Sequence, residues 1–203
     1  MKATGLSGDA PERRAPRAAP LAPAARRAAI VEATLPLLRA HGLAISTRQI
    51  AEAACVAEGT IFSVFPDKEA LLREVVDAAL DPEPVRAQLR TIAADEPLER
   101  RLVVAVDVIQ QHMAGVWELL SAPGLRAMLG NQGVKAKAPG SVVDLSGLVG
   151  VLEPHRDVLR REPAEVAQVL IGLILSGRHP AFAGDTPLPP EEIVSLLLDG
   201  VRV

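Results

Sequence analysis

Three features of the sequence predict an all-α protein. Aromatic residues make up only 2% of the 203 residues and tyrosine is absent. The 49% hydrophobic share therefore comes mainly from Ala, Leu, Val and Ile, a composition that favours helices over sheets. Apolar residues also recur at spacings of three and four, and no stretch alternates as a half-buried strand does.

Taken in order, residues 1–24 are Pro-, Ala- and Arg-rich without apolar periodicity, and are expected to form a flexible basic tail. A first helix is predicted where Ile30, Ala33, Leu37 and Leu38 share a face. Pro36 should kink or restart it, and Gly42 suits its end. A short second helix starts at Ser46 or Thr47, either of which can cap it. A break at 55–57 precedes a third short helix over about 58–64, and Pro66 breaks the chain again. Asp67 caps a fourth helix with Leu71, Leu72, Val75, Val76 and Ala79 as its buried stripe. The run Asp81-Pro82-Glu83-Pro84 marks the main boundary, giving a 25–81 unit and an 82–203 unit.

Beyond the boundary, helices are expected near 84–93, 97–120, 123–130, 141–153, 163–178 and 189–201. Pro97, Pro123, Pro163 and Pro190 stand near their starts, where proline is tolerated. The Gly- and Pro-bearing stretch 130–140 is expected to be a loop. Helix 163–178 is apolar nearly all round, which points to burial on every face and to a partner chain. Its companion is helix 189–201, and Val166, Leu170, Ile174, Ile193 and Leu197 are the expected dimer contacts.

Charge separates the two ends. Residues 1–30 hold six Lys/Arg against two acids, and residues 81–203 hold twelve against sixteen, within a net charge of −3. A basic front and acidic rear suggest different partners. The single cysteine, Cys55, rules out an internal disulfide and a Cys-rich zinc site, and is expected to be a small buried residue. His41, His112, His155 and His179 lack metal-ligand spacing. No phosphate loop, nucleophile elbow or carboxylate pair appears, so neither cofactor nor enzyme activity is expected. The longest strongly apolar run, 169–175, is far short of the ~20 residues that span a bilayer. A cytoplasmic protein without a membrane partner is expected.

The segment 26–80 has the plan of a helix-turn-helix DNA reader: two short helices joined by a turn and clamped by longer ones. Three ordered strings carry a resemblance: Thr47-Arg48-Gln49-Ile50-Ala51-Glu52-Ala53-Ala54, then Cys55-Val56-Ala57-Glu58-Gly59-Thr60-Ile61-Phe62-Ser63-Val64-Phe65, then Asp67-Lys68-Glu69-Ala70-Leu71-Leu72. Together they resemble the tetracycline-repressor (TetR) family of transcriptional regulators. Cys55 stands where that family's turn usually carries Gly, and Phe62 where a phosphate-contacting Tyr is common.

The resemblance implies a DNA-binding head, a helical effector domain and a homodimer held by two C-terminal helices. Thr47 would cap its helix and face a phosphate. Arg48 would reach phosphate or a guanine edge, or simply be solvated. Gly59 and Thr60 open the reading helix, Ser63 lies one turn on, and Lys68 would contact phosphate. Ile50, Ile61, Phe62, Phe65 and Leu71 are expected in the core. Arg26, Arg27 and the tail arginines would either touch DNA or merely solubilise the tail. On helix 97–120, Val108, Met113, Val116, Trp117 and Leu120 are candidates for the wall of a pocket. The function so implied is a repressor released from double-stranded operator DNA by a small apolar or amphipathic effector. The alternative is a ligand-binding or protein-interaction protein whose DNA head is degenerate.

Overall fold

The computed structural model describes residues 22–131, 145–177 and 187–201, which are helical and contain no β-strand. The expected tail, apart from residues 22–24, and the loop at 132–140 lie outside the described residues. The helices are α1 (Pro23–His41), α2 (Thr47–Ala53), α3 (Glu58–Val64), α4 (Lys68–Ala79), α5 (Glu83–Arg90), α6 (Leu98–Leu120), α7 (Leu125–Asn131), α8 (Leu145–Leu152), α9 (Pro163–Ser176) and α10 (Pro190–Val201).

α1 starts on Pro23 and runs through Pro36 without a restart. A proline inside a helix removes one backbone donor, and here the packing of Ile30, Thr34 and Leu38 carries the helix across the gap. It ends at Gly42, whose φ of 58° is positive.

Two apolar cores result. One gathers Ile30, Leu38, Ile50, Ile61, Phe65, Leu71 and Val75 from α1–α4, and also takes in Leu119, Ala122 and Leu125 from beyond the expected boundary. The other gathers Leu89, Leu102, Ile109, Met113, Leu148, Leu170 and Ile193 from α5, α6, α8, α9 and α10. α6 serves both, with Leu102 to Met113 in the second core and Leu119 in the first. Each Val, Leu, Ile, Phe or Met side chain so buried contributes about 1.5–3 kcal/mol.

The second core corrects the choice of dimer residues. Val166, Leu170, Ile174, Ile193 and Leu197 are at most 2% exposed within a single chain. They pack against their own chain's α6 and α8, so they are not presented to a partner. The outward faces of α9 and α10 instead carry Glu165, Gln168 and Val169, and Glu192, Ser195 and Leu196. α9 is therefore not buried on every side.

Where α6 crosses α1, the Arg39 guanidinium lies against Gly115, and its Nε is 3.9 Å from Glu118 Oε2. His112 is half-buried beside them, and its Nε2 has no hydrogen-bond partner. Burial, reinforced by the charge of Arg39 and opposed by Asp81, lowers the His112 pKa below its ordinary 6.5. The folded chain thus keeps a neutral imidazole that the unfolded chain protonates near pH 6.5. Stability from this site is complete above pH 6.5 and falls as pH drops toward the lowered value. Melting curves at pH 7.5 and 5 should therefore show a smaller acid loss for His112→Gln than for the parent. Equal losses would mean that His112 does not carry this pH dependence.

Candidate nucleic-acid interface

The two short helices are fixed by local chemistry before any ligand is considered. Ser46, not Thr47, caps α2. Its hydroxyl accepts from the Gln49 N–H at 3.2 Å, while Gln49 Oε1 accepts from the Ser46 N–H at 2.8 Å. Thr47 falls one position inside the helix, where its hydroxyl donates to Glu58 Oε1 and so links α2 to the start of α3.

The turn between them passes through Cys55 at φ 53°, the only non-glycine residue with positive φ among the described residues. This is the conformation that glycine adopts without strain, at the position where the resemblance expects glycine. Cys55 is exposed, contrary to the expectation of a buried residue.

α3 ends under a second set of restraints. Arg27 of α1 donates from Nη1 to the Val64 carbonyl at 2.8 Å and from Nε to Glu74 Oε1 at 2.7 Å, and it lies 4.4 Å from the Phe65 ring centroid. One guanidinium therefore ties α1, α3 and α4 together. Arg27 is a structural clamp, and its hydrogen bonds are directed inward rather than toward DNA. Asp67 caps α4 by accepting from the Ala70 N–H at 2.7 Å. Lys68 is also engaged, its ammonium donating to the Leu43 carbonyl at 2.8 Å. An ammonium has three donors, so the bond to Leu43 leaves others for a phosphate.

The outward side of α3 carries Glu58, Gly59, Phe62 and Ser63, with Thr60 and Val64 half-buried. A Cβ built on Gly59 meets nothing within 4 Å, so the backbone there is open to close approach. Ser63 donates to the Thr60 carbonyl at 2.8 Å. Phe62 is 52% exposed, which corrects its assignment to the core. Ile61 and Phe65 stand one turn apart and define the buried face. Phe62 is rotated about 100° from Ile61 and leaves that face.

On α2, Arg48 is exposed and pairs with Glu52 at 3.0 Å; that hydrogen bond raises the arginine pKa. Arg48 also lies within electrostatic reach of Glu58, so two carboxylates balance its charge. Thr47 and Arg48 thus lie on α2 and Gly59, Thr60 and Ser63 on α3, the two helices joined through Thr47 and Glu58, while Lys68 opens α4 and reaches back to Leu43 ahead of α2.

The pocket candidates are placed differently. Met113 is in the second core, Val108 and Trp117 pack against it, and Val116 is buried. Two clefts lined by described residues, at 161–169 and between α5 and α8, have none of these four in their walls. Leu120 does line a shallow depression, with residues 121–124 and Ala127. Among the described residues no three His, Cys, Asp or Glu side chains form a metal-binding group. None of the described helices is long and apolar enough to cross a membrane.

A helix-turn-helix head on an all-helical domain defines a class of DNA-binding regulators. Comparison with known proteins narrows it. Residues 30–75 match the family described as bacterial regulatory proteins, tetR family. Residues 30–75 thus carry that family's N-terminal domain, and the chain as a whole has the fold of the solved structures below.

A protein of Mesorhizobium loti assigned to the TetR-family transcriptional regulators superposes with a TM-score of 0.64 at 19% identity, covering 91% of this chain and 100% of that one. A TetR transcription regulatory protein of Mycobacterium vanbaalenii gives 0.58 at 24% identity, covering 89% and 97%. A TetR transcriptional regulator of Streptomyces coelicolor gives 0.56 at 20% identity, covering 87% and 98%. No curated protein matches the sequence.

Proposed function

We propose that the chain is a cytoplasmic, homodimeric repressor that reads a two-fold symmetric DNA operator through α3 and is released by a small apolar or amphipathic effector. The observation that carries the reading is the outward side of α3. There an open Gly59 backbone, Thr60, Ser63 and an exposed Phe62 are presented by a helix locked at both ends. A rigid helix with small residues at its start admits close approach to base edges, and Thr60 can meet a thymine methyl or a phosphate. Thr47, Arg48 and Lys68 flank it as backbone contacts, Arg48 by exchanging Glu52 for a phosphate.

The weakly charged face leaves much of the electrostatic affinity to the arginines of the basic tail. Dimerisation is assigned to the outward faces of α9 and α10, where Val169 and Leu196 are each about half exposed. Release follows if the effector favours an arrangement of the two heads that no longer fits the operator. α6, embedded in both cores, is the element that transmits it.

The test is selection of binding sites from a random DNA library with the full chain, followed by Gly59→Leu. Replacing a helical glycine stabilises the helix by up to about 1 kcal/mol, and the open space accepts the side chain. The melting temperature should hold or rise while affinity for the selected site falls at least about tenfold. Thr60→Ala should cost roughly 1–3 kcal/mol of discrimination at one base position. A library that yields no preferred sequence would instead favour the alternative, a ligand-binding protein with a degenerate head, to which the apolar Phe62 at a phosphate-contacting position points.

A further inference from the structure

A cleft of about 420 Å³ lies between α5, the segment leading into α6, and α8. It is lined by Leu89, Ile92, Ala94, Pro154 and three arginines, Arg86, Arg90 and Arg101. Two of the arginines are already served: Glu83 pairs with Arg86, and accepts from Arg90 Nη2 at 2.6 Å. Arg101 is different. It is 3% exposed, and Asp95 acts on its charge from a distance without forming a salt bridge. It makes one long bond from Nη1 to the Ala94 carbonyl, 3.3 Å, and its buried Nε has no partner at all. A guanidinium cannot shed its charge, so burial without a direct ion pair and with an unbonded Nε is costly unless something completes it.

The opposite wall is unusually bare. Gly147 packs so closely that a Cβ there would meet Leu89 Cδ1 at 2.8 Å, whereas a Cβ on Gly150 would meet nothing within 4 Å. The cleft thus joins an unsatisfied cation to an apolar slot with an open floor.

We propose that this cleft binds a small organic monoanion, a carboxylate with an apolar body. The carboxylate would meet Arg101, and the body would lie over Gly150 against Leu89 and Ile92. A planar guanidinium matches a carboxylate in a two-point fork. Glu83 engages Arg86 and Arg90, which leaves Arg101 as the single cation for a ligand and matches a monoanion rather than a phosphate monoester. Whether such a ligand also controls DNA binding rests on the effector reading above; the binding itself does not.

The test is calorimetric titration of the full chain with decanoate and with benzoate, beside decanol, benzyl alcohol and decyl phosphate. At least one carboxylate should bind at one per chain, at least about tenfold more tightly than its alcohol or the phosphate. Arg101→Gln should weaken it by at least about tenfold. Gly150→Phe should block it without lowering the melting temperature, since the added ring fills only the slot. If Arg101→Gln fails to fold, Gly150→Phe decides. The proposal is overturned if neither carboxylate binds at millimolar concentration, if both variants bind like the parent, or if the phosphate wins. The two readings fail separately. A carboxylate that needs Arg101 but leaves operator affinity unaltered upholds the cleft and counts against effector control through it. A carboxylate that releases DNA equally from parent and Arg101→Gln overturns the cleft and upholds effector control.

Discussion

Leu170→Asp should leave little folded protein, whereas Val169→Glu combined with Leu196→Glu should give a folded monomer. Leu170 is fully buried between α9 and the chain's own α6, α8 and α10. Truncating a leucine at such a site to alanine already costs about 2–5 kcal/mol, against a typical total stability of about 5–15 kcal/mol. A carboxylate there adds the penalty of a buried charge without a partner.

Val169 and Leu196 are 52% and 54% exposed, so charging them removes little from the chain's own core. If their faces meet a second copy, four like charges are brought into that contact. Circular dichroism and light scattering separate the outcomes. A helical, soluble Leu170→Asp protein would mean that α9 packs otherwise than described. A Val169→Glu, Leu196→Glu double variant that keeps the dimeric mass would move the interface elsewhere on the surface.

This pair of substitutions also shows how far the sequence could be read. The helices after the boundary were predicted within a few residues, because Pro163 and Pro190 fix two starts and apolar spacing marks the bodies. Apolar spacing did not say which stripe of α9 faces inward. Residues Val166, Leu170 and Ile174 form one stripe at intervals of four, and Val169 and Leu173 form another. With both stripes apolar, only the positions of the other helices choose between them.

On α3 the register was insufficient as well. Phe62 lies within about 100° of Ile61 and closer to Phe65, the spacing of Leu71, Leu72 and Val75, which are all buried, so only the placement of the neighbouring helices leaves Phe62 outside. The clamp by Arg27 was beyond reach, because Glu74 is 47 residues away in sequence and only the fold brings them together. Arg101 was hidden for a related reason. An arginine in an acidic-rich stretch reads as solvated, and its burial arises from α5 and α8 closing over the start of α6.

The other large effect is expected at Gly42. Gly42→Ala should lower the melting temperature by about 10 °C and loosen the joint between the head and the α6–α7 turn. Gly42 sits at φ 58°, ψ −146°, a region that side-chain-bearing residues almost never enter, at a strain of about 1–3 kcal/mol. Space is also lacking: a Cβ would stand 2.4 Å from the Pro123 carbonyl oxygen and 2.9 Å from its Cδ. The backbone must shift, and the next peptide shifts with it. Leu43 donates its N–H to that same Pro123 oxygen at 3.2 Å, and its own carbonyl accepts from Lys68 at 2.8 Å. Strain and displaced contacts together come to about 3 kcal/mol, which at about 2–4 °C per kcal/mol in a chain of this size gives the stated shift. Because the chain Pro123–Leu43–Lys68 crosses from the α6–α7 turn to the start of α4, affinity for a selected operator should fall as well. Gly59→Leu gives the contrast, losing affinity without losing stability. A Gly42→Ala protein that melts within about 2 °C of the parent, below the shift expected for even 1 kcal/mol, would show that this joint yields freely. It could not then hold the head in register with α6.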